Sequence, residues 1–182
     1  MTPESKASEN REIIVVDQDI TLKALTQEDA DKLFELTDSN RQYLAEYLPW
    51  VDRTNEVSDS LNFIEKTVQE RAEGESYGFG IFYQGELVGH TSLMHIGDTE
   101  RPPEIGYWIS DSASGKGLTT SCTKALTEFG FSTINLEEII IRADVENIGS
   151  NKVAENAGYK NQGSTIAEDN KSVNIWLRKK SS

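Results

Sequence analysis

Apolar positions along this chain alternate between two spacings, short alternating or continuous runs and longer stretches in which they recur every three or four residues, the order of a protein that interleaves strands with helices. Ile13 to Val16 and Ile20 to Leu25 are strand-like and broken by Asp17, Gln18 and Asp19, so the fold opens with an edge hairpin or one bent strand. Thr26 caps a helix that buries Ala30, Leu33, Phe34 and Thr37 and stops near Asn40. Arg41 to Trp50 holds a further helical turn that ends before Pro49. Val57, Leu61, Ile64, Val68 and Ala72 then predict a helix closed by Gly74. Tyr77 to Tyr83 and Glu86 to Ile96 read as a hairpin joined by Gln84 and Gly85, with another turn over Gly97 to Pro103. Glu138 to Val145 reads as a buried strand, Ser150 to Ala157 as a short helix closed by Gly158, and Tyr159 to Ala167 with Ser172 to Arg178 as a hairpin around Glu168 to Lys171. These elements make an α/β layered fold with a mixed sheet of about seven strands.

The pattern changes midway through Glu104 to Phe131. Ile105, Tyr107 and Ile109 alternate with Gly106, Trp108 and Ser110 as in a strand packed on both faces. Ser112, Ala113, Ser114, Gly115, Lys116 and Gly117 then leave the backbone uncluttered, and Leu118, Cys122, Ala125, Leu126 and Phe129 form a helical stripe. That order aims free backbone N–H groups and the positive end of a helix dipole at one spot, which suits a phosphate or pyrophosphate. A helix entered through a flexible turn is the plainer alternative.

At 182 residues and without an internal linker, the chain reads as a single domain, 1–182. Hydrophobic residues are 36% and charged residues 27%, and the longest apolar runs are far too short to cross a membrane. The polar start MTPESKASENRE lacks a signal core, so residues 1–11 are expected to be a disordered lead-in and the protein cytoplasmic. A net charge of −13 argues against direct nucleic-acid binding and leaves a choice between a solubilising surface and a cationic partner.

Several chemistries are excluded by spacing. A P-loop would need glycine and Ser or Thr where Ser110 and Gly117 stand, and a dinucleotide fingerprint would need glycine at Thr120. His90 and His95, an odd five apart in one strand, should face opposite sides of the sheet, so no metal site is expected. Cys122 sits on the apolar stripe of its helix, as a structural thiol does.

EIGYW at Glu104 to Trp108, then G-K-G at Gly115 to Gly117, then N-x-x-S-x-x-V-x-E-x-x-G-Y from Asn147 to Tyr159 resemble the GNAT superfamily of acyl-CoA-dependent N-acyltransferases, and within it the RimJ/RimL-type branch that acetylates protein N-termini. The resemblance implies a mostly antiparallel seven-stranded sheet splayed at its middle and flanked by about four helices. It implies acetyl-CoA as co-substrate, with the backbone of Ile109 and Ser110 on the pantetheine arm. The amides of Ala113, Ser114, Gly115, Lys116, Gly117, Leu118 and Thr119 would hold the pyrophosphate, with added charge from Lys116. Ser112 replaces the Gln or Arg that begins the family's signature. Asn147 matches a pantetheine-binding asparagine, although locally it also reads as an Asx turn. Ser150 matches the residue that protonates the departing thiolate in the RimL-like branch, where other members place a tyrosine at the position of Ala154; by itself Ser150 reads as an N-cap. Glu168 matches the RimL-type base, against a plain reading as a solvated turn residue, and Glu104 is the alternative base. Tyr47, Leu48, Pro49 and Trp50 match the segment that walls the acceptor groove.

An amine must lose a proton to attack a thioester. A free α-amino group, with pKa about 8 against about 10.4 for lysine, is easier to deprotonate by about 3 kcal/mol, which favours a protein N-terminus as acceptor. A small amine such as a polyamine, amino acid or aminoglycoside is the second reading, a non-catalytic CoA-binding module the third, and a homodimer is compatible with any of them.

Overall fold

The computed structural model describes residues 11–181. The expected disordered lead-in lies outside the described residues except for Arg11, whose guanidinium pairs with Asp29 at 3.0 Å.

The strands are β1 (Ile13–Val15), β2 (Ile20–Lys23), β3 (Tyr77–Tyr83), β4 (Glu86–Met94), β5 (Glu104–Ile109), β6 (Glu138–Asp144), β7 (Lys160–Ile166) and β8 (Ser172–Lys179). The helices are α1 (Ala30–Ser39), α2 (Arg41–Ala45), α3 (Val57–Ala72), α4 (Leu118–Ser132) and α5 (Ile148–Asn156). One sheet runs in the order β1-β2-β3-β4-β5-β6-β8-β7. Every neighbouring pair is antiparallel except β5 with β6, which are parallel. The count is eight rather than seven because the carboxylate of Asp17 accepts from the amides of Asp19 and Ile20, a tight turn that makes β1 a strand of its own. Five helices rather than four are present among the described residues.

The β3–β4 hairpin turns on Gln84 (φ 50°) and Gly85 (φ 84°), the double positive φ that two-residue loops need to match strand twist. Two cores sandwich the sheet. One gathers Leu22, Phe79, Ile81, Leu93, Ile105, Ile139, Ile141 and Trp176 under Cys122 and Leu126 of α4 and Ala154 of α5. The other packs Leu33 of α1 and Ile64 of α3 on Phe82 and Leu87, with Trp108 beside them.

Helix α3 departs from its expected face. Of the stripe Val57, Leu61, Ile64, Val68 and Ala72, only Ile64 is fully buried, and Val57 and Val68 are exposed. The buried Ser60 shares the inward face with Ile64, and Arg71 donates to the carbonyl of Gly78 at 2.7 Å. Its guanidinium also stacks 4.8 Å from the Phe79 ring centroid. With these polar anchors the helix lines a cavity as well as covering the second core.

Candidate active site

Strand β5 pairs with β4 over six residues but meets β6 only at Glu104↔Ile140. Its even-numbered main-chain groups turn to β4, as in the bond from Ser110 N to Val88 O at 2.8 Å. Its odd-numbered groups turn to β6, as in the bond from Ile140 N to Pro103 O at 2.9 Å. By that alternation Tyr107 and Ile109 present amides and carbonyls to an edge without a strand partner. The gap opens toward the start of α4. There Gly117 is the N-cap with φ 77° and no side-chain cap, so first-turn amides of the helix are left without a protein acceptor. Gly115 also has φ 77°, and a Cβ on either glycine would meet nothing within 4 Å, so backbone conformation rather than space demands glycine.

Strand edge and helix start together line a cavity of about 480 Å3, with α5 on its far side. The donor set, a row of unpaired strand groups leading to helix N–H groups, fits a ligand that joins an extended amide chain to a pyrophosphate.

Helix α5 is held by its asparagines. Asn147 is its N-cap, accepting from Ser150 N at 3.1 Å, so the local Asx reading holds. Asn151 donates to the carbonyls of Asp144 and Asn147 at 2.9 and 2.8 Å and accepts from Asn174 Nδ2 and Trp176 Nε1, both at 2.9 Å. Ser150 lies in the first turn and is not the N-cap. Its Oγ donates to Tyr107 Oη at 3.1 Å, and Tyr107 Oη donates to the Ser150 carbonyl at 2.8 Å. Burial pushes the Tyr107 phenol up to about 12, despite the opposing Ser150 hydrogen bond.

A second cavity of about 710 Å3 lies on the other face of β4 and β5, under α3. Its walls carry Trp50, Phe63 and Trp108, the carboxylates of Asp59, Glu70, Glu75 and Asp98, and both histidines. The two cavities meet at Leu48, Tyr107 and Trp108, which line both. Trp50 and Trp108 meet at a 54° tilt with ring centroids 5.7 Å apart, and Arg41 ties that wall down by donating to Val51 O and Thr54 O at 2.7 and 2.6 Å. The histidines correct an expectation. Strand β4 ends at Met94 and His95 takes φ 62°, so the parity of a continuous strand no longer applies and both rings reach one cavity. Among the described residues there is no group of three side chains suited to a metal ion.

The sequence pattern of the acetyltransferase (GNAT) domain matches residues 19–160. The chain belongs to the acetyltransferase (GNAT) family, in its RimJ/RimL-like branch. It is 31% identical over 149 residues to YdaF of Bacillus subtilis (strain 168), named provisionally as a ribosomal N-acetyltransferase, covering 81% of each chain. It is 28% identical over 152 residues to the ribosomal-protein-serine acetyltransferase of Escherichia coli (strain K12), covering 84% of this chain and 85% of that one. Among solved structures it resembles the Microcin C7 self-immunity acetyltransferase MccE, in complex with acetyl-CoA and AMP, at TM-score 0.84 and 26% identity over 90% of this chain and 94% of that one.

In this acetyltransferase nine of the eleven residues expected to bind the cofactor line the 480 Å3 cavity: Ile109, Ala113, Ser114, Gly115, Gly117, Leu118, Thr119, Asn147 and Ser150. Ser110 does not, since its amide is spent on Val88 and its side chain is buried. Lys116 does not either; its ammonium sits 5.4 Å from the Tyr83 ring centroid, while Lys152 lines the cavity. Of the residues expected to wall the acceptor groove, Tyr47 and Leu48 line the 480 Å3 cavity, and Leu48 and Trp50 line the 710 Å3 cavity. Glu104 lines neither cavity and is held by Arg142 Nε at 2.7 Å. Glu168 is exposed in the β7–β8 turn and also lines neither. Tyr107 and Lys152 escaped the sequence reading as site residues, and His90 was weighed there only as a metal ligand. Tyr107 had a visible signal in EIGYW, but period-two alternation reads it only as packing.

Proposed function

We propose that this protein transfers the acetyl group of acetyl-CoA to a primary amine, and that the amine is the N-terminal α-amine of a protein or peptide, of the ribosomal-protein type. One observation carries the reading: a cradle suited to an extended chain and a pyrophosphate meets, at Tyr107 and Trp108, a separate cavity lined by aromatic rings and carboxylates. The thioester would lie at that junction and the amine would approach from the α3 side, so that attack takes place within a ternary complex and positioning supplies much of the acceleration. The names of the ribosomal-protein acetyltransferases among its relatives support the acceptor class.

Two proton transfers are required. Ser150 faces the cofactor side and would protonate the departing thiolate. Glu168 is proposed as base. In support, its turn lies at the end of the sheet where β6 leads into α5, marked by the bond from Val145 N to Ser172 O at 3.0 Å. An α-amine needs only a modest base. A small cationic amine is the second reading, favoured by the four carboxylates of the acceptor cavity. Against it, Lys66 stands 3.7 Å from Glu70 and Arg101 stands 2.9 Å from Asp98, which offsets part of that charge.

The deciding experiment follows CoA thiol release from acetyl-CoA across peptides differing in their first residue and across polyamines. Faster turnover of peptides supports the first reading and of polyamines the second, while acetyl-CoA binding without turnover sinks both. Glu168→Gln is expected to lower kcat by about 10²-fold with cofactor affinity kept. An unchanged rate would move the base to the carboxylates of the acceptor cavity.

A further inference from the structure

We propose that Tyr107 is the positioning residue for Ser150: its phenol oxygen, at the junction of the two cavities, orients the Ser150 hydroxyl on the cofactor side, where that hydroxyl protonates the departing thiolate. The inference rests on the reading of Ser150 given above and adds a residue to it.

The geometry is a lock at two points of one residue. Tyr107 Oη donates its single proton to the Ser150 carbonyl at 2.8 Å, which leaves its lone pairs to accept from Ser150 Oγ at 3.1 Å. A half-buried tyrosine that only filled space would be satisfied by one partner. Asn147 holds the same residue from below, through the Ser150 amide at 3.1 Å. The main chain and side chain of Ser150 are therefore all engaged, and its oxygen is held in place at the edge of the cofactor cavity. Burial keeps the phenol protonated across the working range, with its pKa pushed up to about 12, so it always has a proton to donate. The position of the ring matters as much. Tyr107 comes from the splayed strand and lines both cavities, whereas Ser150 lines only the cofactor side. Helix α5 offers only the buried Ala154 one turn further on and has no hydroxyl of its own there.

The chemistry balances. As the amine nitrogen bonds to the acetyl carbon, the carbon–sulfur bond breaks and sulfur leaves with the electron pair. Rotation about Cβ–Oγ swings the Ser150 proton from the phenol to that sulfur, and the Tyr107 hydroxyl turns from the Ser150 carbonyl to donate to the Oγ that loses it, which keeps the oxygen in place. The amine gives up two protons in all: the first, lost by its ammonium form before attack, goes to the proposed base Glu168, and the second, released by the nitrogen as it becomes an amide, restores the serine.

The test is a double-variant cycle on the full chain, with kcat, acceptor KM, CoA dissociation constant and melting temperature measured for Tyr107→Phe, Ser150→Ala and both together. Phenylalanine keeps the ring and removes only the oxygen. Ser150→Ala is expected to lower kcat by about 10²-fold and Tyr107→Phe by about 10-fold, with CoA affinity unchanged in each. The double variant should be no slower than Ser150→Ala, because a positioning group has nothing left to position. Multiplied losses of about 10³-fold would overturn the proposal, as would a Tyr107→Phe whose whole effect is weaker CoA binding or a lower melting temperature. Wild-type kcat in Tyr107→Phe with a slow Ser150→Ala would overturn this inference alone. Wild-type kcat in Ser150→Ala would instead remove the underlying role of the serine.

Discussion

His90 shows what one position in the sheet does to a side chain. It stands opposite Gly80 on β3 and Trp108 on β5, with its ring edge-on to Phe63 at 5.2 Å. Burial first, and Arg71 second, pull its pKa down from 6.5 to about 4. The folded state therefore binds this proton less readily than the unfolded state. Its contribution to stability is full above pH 6.5 and falls as pH drops from 6.5 to about 4, by about 3 kcal/mol in all. Urea unfolding of wild type and His90→Gln at several pH values across that window should show a shallower loss in the variant. Parallel curves would remove His90 as the cause. Nothing in the residue's own neighbourhood along the chain signalled this, because the groups that bury it come from α3 and β5.

At the scale of elements, α5 matters more than its nine residues suggest. It presents Ser150 and Asn147, yet exposes Ile148 at 80% and fully buries Ala154. Its attachment runs through Asn151, whose amide bonds the backbone before α5 and two side chains of β8. Asn151→Ala strips those partners and should lower stability by about 2 kcal/mol, visible as a drop in melting temperature with weaker CoA binding. A variant with unchanged melting would show that the apolar contact of Ala154 suffices. The order of strands and helices, the Gln84-Gly85 turn and the glycine loop into α4 were all legible, since each is a local pattern. The rotation of α3 was not. Its apolar stripe pointed to one face, but Arg71 finds its acceptor on Gly78 and its stacking partner in Phe79, both on β3.

For the whole molecule, the net charge of −13 gives its field a sign. A basic acceptor peptide should be drawn toward an acidic enzyme, and that attraction is screened by salt. The acceptor KM for a basic peptide should rise severalfold between about 0.05 and about 0.5 M salt, while kcat and the KM of a neutral peptide hold steady. Equal salt dependence for both peptides would assign the charge to solubility. Among the described residues no helix is long and apolar enough to cross a membrane.

The sequence by itself determined the layered α/β class, the small-residue loop Ser112 to Gly117 that enters α4 and the Asx turn of Asn147 that opens α5, because each follows from the spacing of neighbours along the chain. The tertiary structure decided the rest: that β5 parts from β6 after a single pair, that Ser110 is spent on β4 while Tyr107 faces the gap, that Glu104 is held by Arg142 and Glu168 left exposed, and that His90 and His95 share a cavity. Those outcomes depend on which strand lies beside which and how far the pairing runs. Such contacts join residues as distant in sequence as Tyr107 and Ser150, and no local period can encode them.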